Sequence, residues 1–169
     1  MSRLFPAWFL LAGCGGPGAE VTGTVLEASF SDTDYVYFGE PYIVISEVQV
    51  DCDELSWVRR NYEEGVAPTE SDAQMLQFAF ADDDDAETPN IVKEGRFPID
   101  VAASVEATVV LVSGAAMATG SPARATGGVL EITVAEDEST VEGSFETVTF
   151  DTGTLSGTFT AEWCRNLKG

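Results

Sequence analysis

The stretch from Thr140 to Trp163 constrains the fold more than any other. "TVEGSFETVTF" and "TLSGTFTAEW" share the pattern T-[VL]-x-G-[ST]-F, and both alternate apolar with polar residues. A period of two places successive side chains on opposite faces of a strand. Asp151-Thr152-Gly153 lies between the two segments. A three-residue hairpin loop would use Gly153 in the left-handed position. The segments therefore read as a β-hairpin. Pairing Phe150 with Thr154 brings Phe145 opposite Phe159, Gly143 opposite Ala161 and Val141 opposite Trp163. The small Gly143 and Gly157 leave room for the rings beside them, which read as core.

Similar patterns recur upstream. Val21 to Phe30 alternates, Tyr35 to Phe38 is a short aromatic run, and Tyr42 to Val50 is rich in β-branched residues. Each reads as a strand, with Gly39-Glu40-Pro41 as a turn. Gln74 to Phe80, Val105 to Val112 and Val129 to Ala135 follow suit, Val105 to Val112 being the most apolar and so central. Arg96 to Val101 contains Pro98, which has no N–H to give a ladder, and is assigned to an edge. In Asp51 to Tyr62 the period changes: Leu55, Val58 and Tyr62 sit at helical spacing behind a capping aspartate. Gly114 to Gly128, rich in small residues, reads as a connection. The expected fold is all-β: an antiparallel two-sheet sandwich of about eight or nine strands with one short helix. A closed β-barrel is the alternative.

The N-terminal residues carry a different message. Arg3 precedes the apolar run Leu4 to Leu11, which is the layout of an export signal. That run is too short to span a bilayer as a helix, which takes about 20 residues. Leu11-Ala12-Gly13-Cys14 then resembles the lipobox of bacterial lipoproteins. The resemblance implies a diacylglycerol on the Cys14 thiol, cleavage before Cys14, and acylation of the new amino group. Two or more acyl chains anchor a protein stably where one does not. On this reading residues 1–13 are a lipoprotein signal peptide, 14–20 a lipidated flexible tether and 21–169 a single β-domain. Gly15 stands where enteric lipoproteins retained in the inner membrane carry aspartate. By that analogy the outer membrane is the expected location. Gly13 to Gly18 also fits G-x-G-x-x-G, but that fingerprint works only between a strand and a helix. Here it straddles the expected cleavage point.

Charge and missing residue types narrow the chemistry. Twenty-nine acids oppose eight bases, a formal net charge of −21, and histidine is absent. So negative a chain repels nucleic acid and favours cations or basic partners. Without histidine there is no Ser-His-Asp or Cys-His nucleophile and no imidazole zinc site. With Cys14 lipidated, Cys52 and Cys164 make one even pair in an exported domain, so a disulfide between them is expected. Asp82 to Asp85 with Glu87 is dense in acid but lacks the spacing of a calcium loop, and reads as a solvated turn. Glu63, Glu64, Glu131 and Glu142 could in principle supply a hydrolytic carboxylate pair. Their abundance singles none out. Arg59 and Arg60 with Trp57 and Tyr62 could meet an anion or a sugar ring, or simply pair with Asp53, Glu63 and Glu64. No catalytic residue, metal ligand or cofactor is assigned.

The expected function is a membrane-anchored envelope lipoprotein presenting an acidic, non-enzymatic β-domain for protein contacts or a structural role. Its expected partners are the membrane, through Cys14, and an envelope protein, with no nucleic acid. A carrier of a small apolar ligand inside a barrel is the second reading, and a carboxylate-based hydrolase the third.

Overall fold

The computed structural model describes residues 16–47, 52, 73–80, 92, 94–100, 105–112, 123–134 and 139–168. Ten strands lie within them: β1 (Gly18–Val25), β2 (Ala28–Ser29), β3 (Tyr35–Glu40), β4 (Tyr42–Ser46), β5 (Ala73–Phe80), β6 (Gly95–Pro98), β7 (Val105–Val112), β8 (Ala123–Val134), β9 (Thr140–Phe150) and β10 (Gly153–Lys168). Seven of them, β3-β4-β5-β7-β8-β9-β10, pair in a ring that closes where β10 meets β3. β1 and β2 extend the wall beyond β10, and β6 extends it beyond β8.

The two-sheet sandwich is therefore overturned: the sheet is a closed, mixed β-barrel. Two long strands are responsible. β10 has β9 on one edge and, end to end along its other edge, β1 and then β3. β8 likewise has β9 on one edge and β7 and β6 sharing the other. Each long strand thus leaves one half of the wall and reaches the other. No helix is among the described elements. The helix expected from Asp51 to Tyr62 lies outside the described residues, Cys52 excepted.

One turn accounts for the parallel pairing. Val21 to Phe30 is two strands and not one, because the chain reverses at Leu26-Glu27, with Val25 opposite Ala28. Both turn residues have positive φ, 51° and 64°. A two-residue loop of that kind normally carries Asn-Gly or a similar pair, and Leu26-Glu27 has none of that turn chemistry. β1 runs antiparallel to β10. After the reversal, β3 arrives running parallel to it. β1 also starts earlier than the expected domain boundary: Gly18 to Glu20 are strand, and Ala19 is buried.

The last hairpin differs from expectation in register. Phe150 pairs with Gly153, so the loop is the two residues Asp151-Thr152. Farther along, Glu146 and Thr147 together oppose Ser156, a β-bulge. Thr147 has φ 49°, and its N–H donates to Ser156 Oγ at 2.9 Å. The two shifts add to two residues, which preserves the facing. Gly143 meets Phe159, Phe145 meets Gly157 and Val141 meets Ala161. Trp163, expected on the inner face, is 41% exposed. β8 corrects one further expectation. It begins at Ala123, inside the stretch read as a connection, and it absorbs Gly127-Gly128 as register shifts, with Gly128 at φ +138°.

Inward-facing residues fill the ring. Phe78 of β5 meets Phe145 of β9 at 5.4 Å between ring centroids, and Phe159 of β10 lies 6.5 Å from each. Ile43, Ile45, Leu76, Leu130, Ile132 and Leu155 pack in the same buried cluster. Each such side chain contributes about 1.5–3 kcal/mol when fully buried. Phe97 of β6 stands edge-on to Phe80 at 5.4 Å, docking the extra strand on the barrel.

Candidate functional site

The wall formed by β1, β10, β9 and β8 turns a polar surface outward. Register sets it in cross-strand rows. Glu20 stands opposite Thr158, Thr158 opposite Ser144, and Ser144 opposite Glu131. In the next row Gly18, Thr160, Glu142 and Thr133 align in the same way. Neighbouring strands are about 4.7–4.9 Å apart, so carboxylates and hydroxyls form a regular array.

The segment between β2 and β3 rises beside this wall and makes it a groove. Thr33 exchanges two backbone hydrogen bonds with Ala19, of 2.7 and 3.0 Å. The Val21 N–H donates to Asp32 Oδ1 at 3.0 Å. Thr33 Oγ1 donates to the Ser46 carbonyl at 2.6 Å. Glu47 ties the base together: one carboxylate oxygen accepts from the Ser31 N–H, the other from the Gln74 N–H at 2.6 Å. The resulting groove has a volume of about 1220 Å³. Its walls carry Glu20, Asp32, Asp34, Glu47, Glu131 and Glu142, and no lysine or arginine among the described residues. Asp32 and Glu47 are engaged with backbone N–H groups. The carboxylates of the other four make no hydrogen bond or ion pair among the described residues.

Such a surface suits cations. It offers carboxylate and hydroxyl acceptors to an ammonium or guanidinium group, and its field draws positive charge toward it. Glu131 and Glu142 are both exposed on the outer wall, and the buried polar residues among those described are Ser46 and Gln74. No group of three or more potential metal ligands occurs among the described residues. Gln74 Nε2 donates to the Ser29 carbonyl at 3.1 Å while Oε1 is buried without a partner. An unmet buried acceptor costs about 1–3 kcal/mol.

Cys52 and Cys164 form a disulfide with Cα atoms 5.4 Å apart, inside the usual range of about 4.4–6.8 Å. Cys164 is fully buried. Cys14, the acidic run Asp82 to Asp85 with Glu87, and Trp57, Arg59, Arg60, Tyr62, Glu63 and Glu64 lie outside the described residues. The groove itself is not visible in the sequence. Alternating Glu and Thr along β1, β9 and β10 was its only signal, and without the register that alternation reads as an ordinary solvated face.

The fold and groove define a seven-stranded closed mixed barrel with an acidic outer face. Comparison with family models, curated proteins and solved structures gives no match. Among the described residues no helix is long and apolar enough to cross a membrane.

Proposed function

We propose that this chain is an exported, lipid-anchored envelope protein whose barrel acts by surface contact with a cationic protein partner. The groove carries the reading: six carboxylates line it without a basic residue among the described residues. Such a surface steers a basic partner at long range and repels nucleic acid. Export is supported by the disulfide, since these bonds form and persist in oxidising compartments. The lipobox resemblance at Cys14 supplies the anchor, and Gly15 after it favours the outer membrane. A carrier role draws no support from the interior, where Phe78, Phe145 and Phe159 occupy the centre.

Crosslinking in native envelopes followed by affinity capture tests this reading. Wild type is compared with the triple variant Glu20→Gln, Glu131→Gln, Glu142→Gln. These side chains are exposed, so the fold should persist. The expected result is a basic protein recovered with wild type, depleted by the variant and by high salt. Equal recovery with the variant would show that the groove is not the contact.

A further inference from the structure

The barrel is held together unequally around its circumference. β3, β4, β5 and β7 form one antiparallel half, with four to eight residue pairs in each ladder. β8, β9 and β10 form the other, again with long ladders. The halves meet where β7 pairs with β8 and where β10 pairs with β3. The β10–β3 ladder has three pairs, and its register breaks between Trp163 and Lys168.

Cys164 lies inside that break. Its disulfide runs to Cys52, which follows β4 in the chain and so belongs to the opposite half. A covalent bond therefore stands where the hydrogen-bond ladder is interrupted. The seam is also tightly seated. A Cβ on Gly39 would come within 2.8 Å of Leu167 Cβ and 2.9 Å of the Cys164 carbonyl oxygen, so β10 lies directly against the β3 backbone. Phe38 packs edge-on against Trp163 at 5.2 Å. β10 is held independently on its other edge, where the Trp163 N–H donates to the Ser139 carbonyl at 3.1 Å. β3 is held independently by four pairs to β4. Each side of the seam thus keeps its own sheet partner when the seam parts.

We propose that the Cys52–Cys164 disulfide is a redox latch on the β3–β10 seam, and that a dithiol reductant opens the barrel there without unfolding it. One thiolate of the dithiol attacks a disulfide sulfur and forms a mixed disulfide as the Cys52–Cys164 bond breaks. The second thiol then displaces the protein sulfur. Two electrons and two protons pass to the protein, leaving two cysteine thiols and an oxidised, cyclic dithiol. Opening uncovers Val36 and Phe38, which are buried in the closed form.

Hydrogen exchange on the full exported protein tests the latch, with dithiothreitol as the reductant. Oxidised and reduced samples are compared by mass spectrometry of peptides covering residues 36–40 and 162–168. Peptides covering 141–150 and 154–160 serve as internal references. The expected result is exchange about tenfold or more faster at the seam, with the reference segments unchanged, as for a local opening. Re-oxidation should restore protection. Unchanged exchange everywhere would overturn the proposal, since the bond would then be dispensable to the seam. A uniform rise in all four segments would also overturn it, because reduction would then unfold the protein as a whole. The double variant Cys52→Ala, Cys164→Ala must reproduce the reduced pattern, and an unfolded variant counts against the latch.

Discussion

Gly143 and Phe159 face one another across β9 and β10, and the phenyl ring fills the space that a side chain on Gly143 would need. The relationship repeats one step away, where Phe145 covers Gly157. The shared T-[VL]-x-G-[ST]-F pattern thus folds against itself, glycine to ring and ring to glycine. Gly143→Ala would place a Cβ within 2.7 Å of Phe159 Cε1 and 2.6 Å of the Glu131 carbonyl oxygen. Overpacking of this kind costs about 1–3 kcal/mol. Urea denaturation should report that loss, and the double variant Gly143→Ala, Phe159→Leu should recover part of it. Additive losses would show that the ring is not what the new methyl meets.

Phe78 is the ring that joins the two halves of the wall, lying against both Phe145 and Phe159. Phe78→Ala should cost about 3–5 kcal/mol, the range for deleting a large buried side chain. Trp163→Ala should cost clearly less, because Trp163 is 41% exposed. Thermal melts of the two variants decide the order, and equal losses would contradict the packing described.

Glu27 sits at φ 64° in the β1–β2 turn, with its side chain exposed. A left-handed backbone costs a non-glycine residue on the order of 1 kcal/mol. Glu27→Gly should therefore raise the melting temperature. A fall would mean that the glutamate side chain supports the turn.

How far was this architecture readable in advance? The β class and the last hairpin were plain, because alternation and the repeated motif are local. The closure was not. It depends on the reversal at Leu26-Glu27, whose residues carry none of the usual turn chemistry, and without that reversal β3 has no route to run parallel to β10. The parity of Trp163 matches Phe159 and Ala161 and points it inward. The irregular β10–β3 register after Trp163 is a tertiary event that no local pattern records. The cysteine pairing was legible by elimination, whereas the groove needed the register of four strands at once.

Lipidation at Cys14 is expected from the motif Leu11-Ala12-Gly13-Cys14. Intact mass and metabolic labelling with a fatty-acid analogue would measure it. Cys14→Ser should abolish the label and release the protein from membranes, and labelling that persists in the variant would reject the anchor.

Calcium should add little stability, since Asp82 to Asp85 with Glu87 lacks the ligand spacing of a calcium loop. A ligand at 100 times its Kd adds about 2.7 kcal/mol. Melts in calcium, magnesium and chelator at equal ionic strength should coincide. Raising ionic strength itself should stabilise the fold in all three, by screening repulsion in a chain of net charge −21. A calcium-specific rise in melting temperature would overturn this expectation.

The pairing of β1 and β3 along a single edge of β10 has a consequence for the life of the chain before it is folded. Both early strands wait for the same late one. During synthesis, and during any passage through a secretion channel, β1 can meet β2 and β3 can meet β4, but neither can dock on its β10 edge until Gly153 to Lys168 has emerged. Pairings so distant in sequence form slowly. An emerging chain of this design can build its early hairpins but closes its barrel last, when the C-terminal strand arrives.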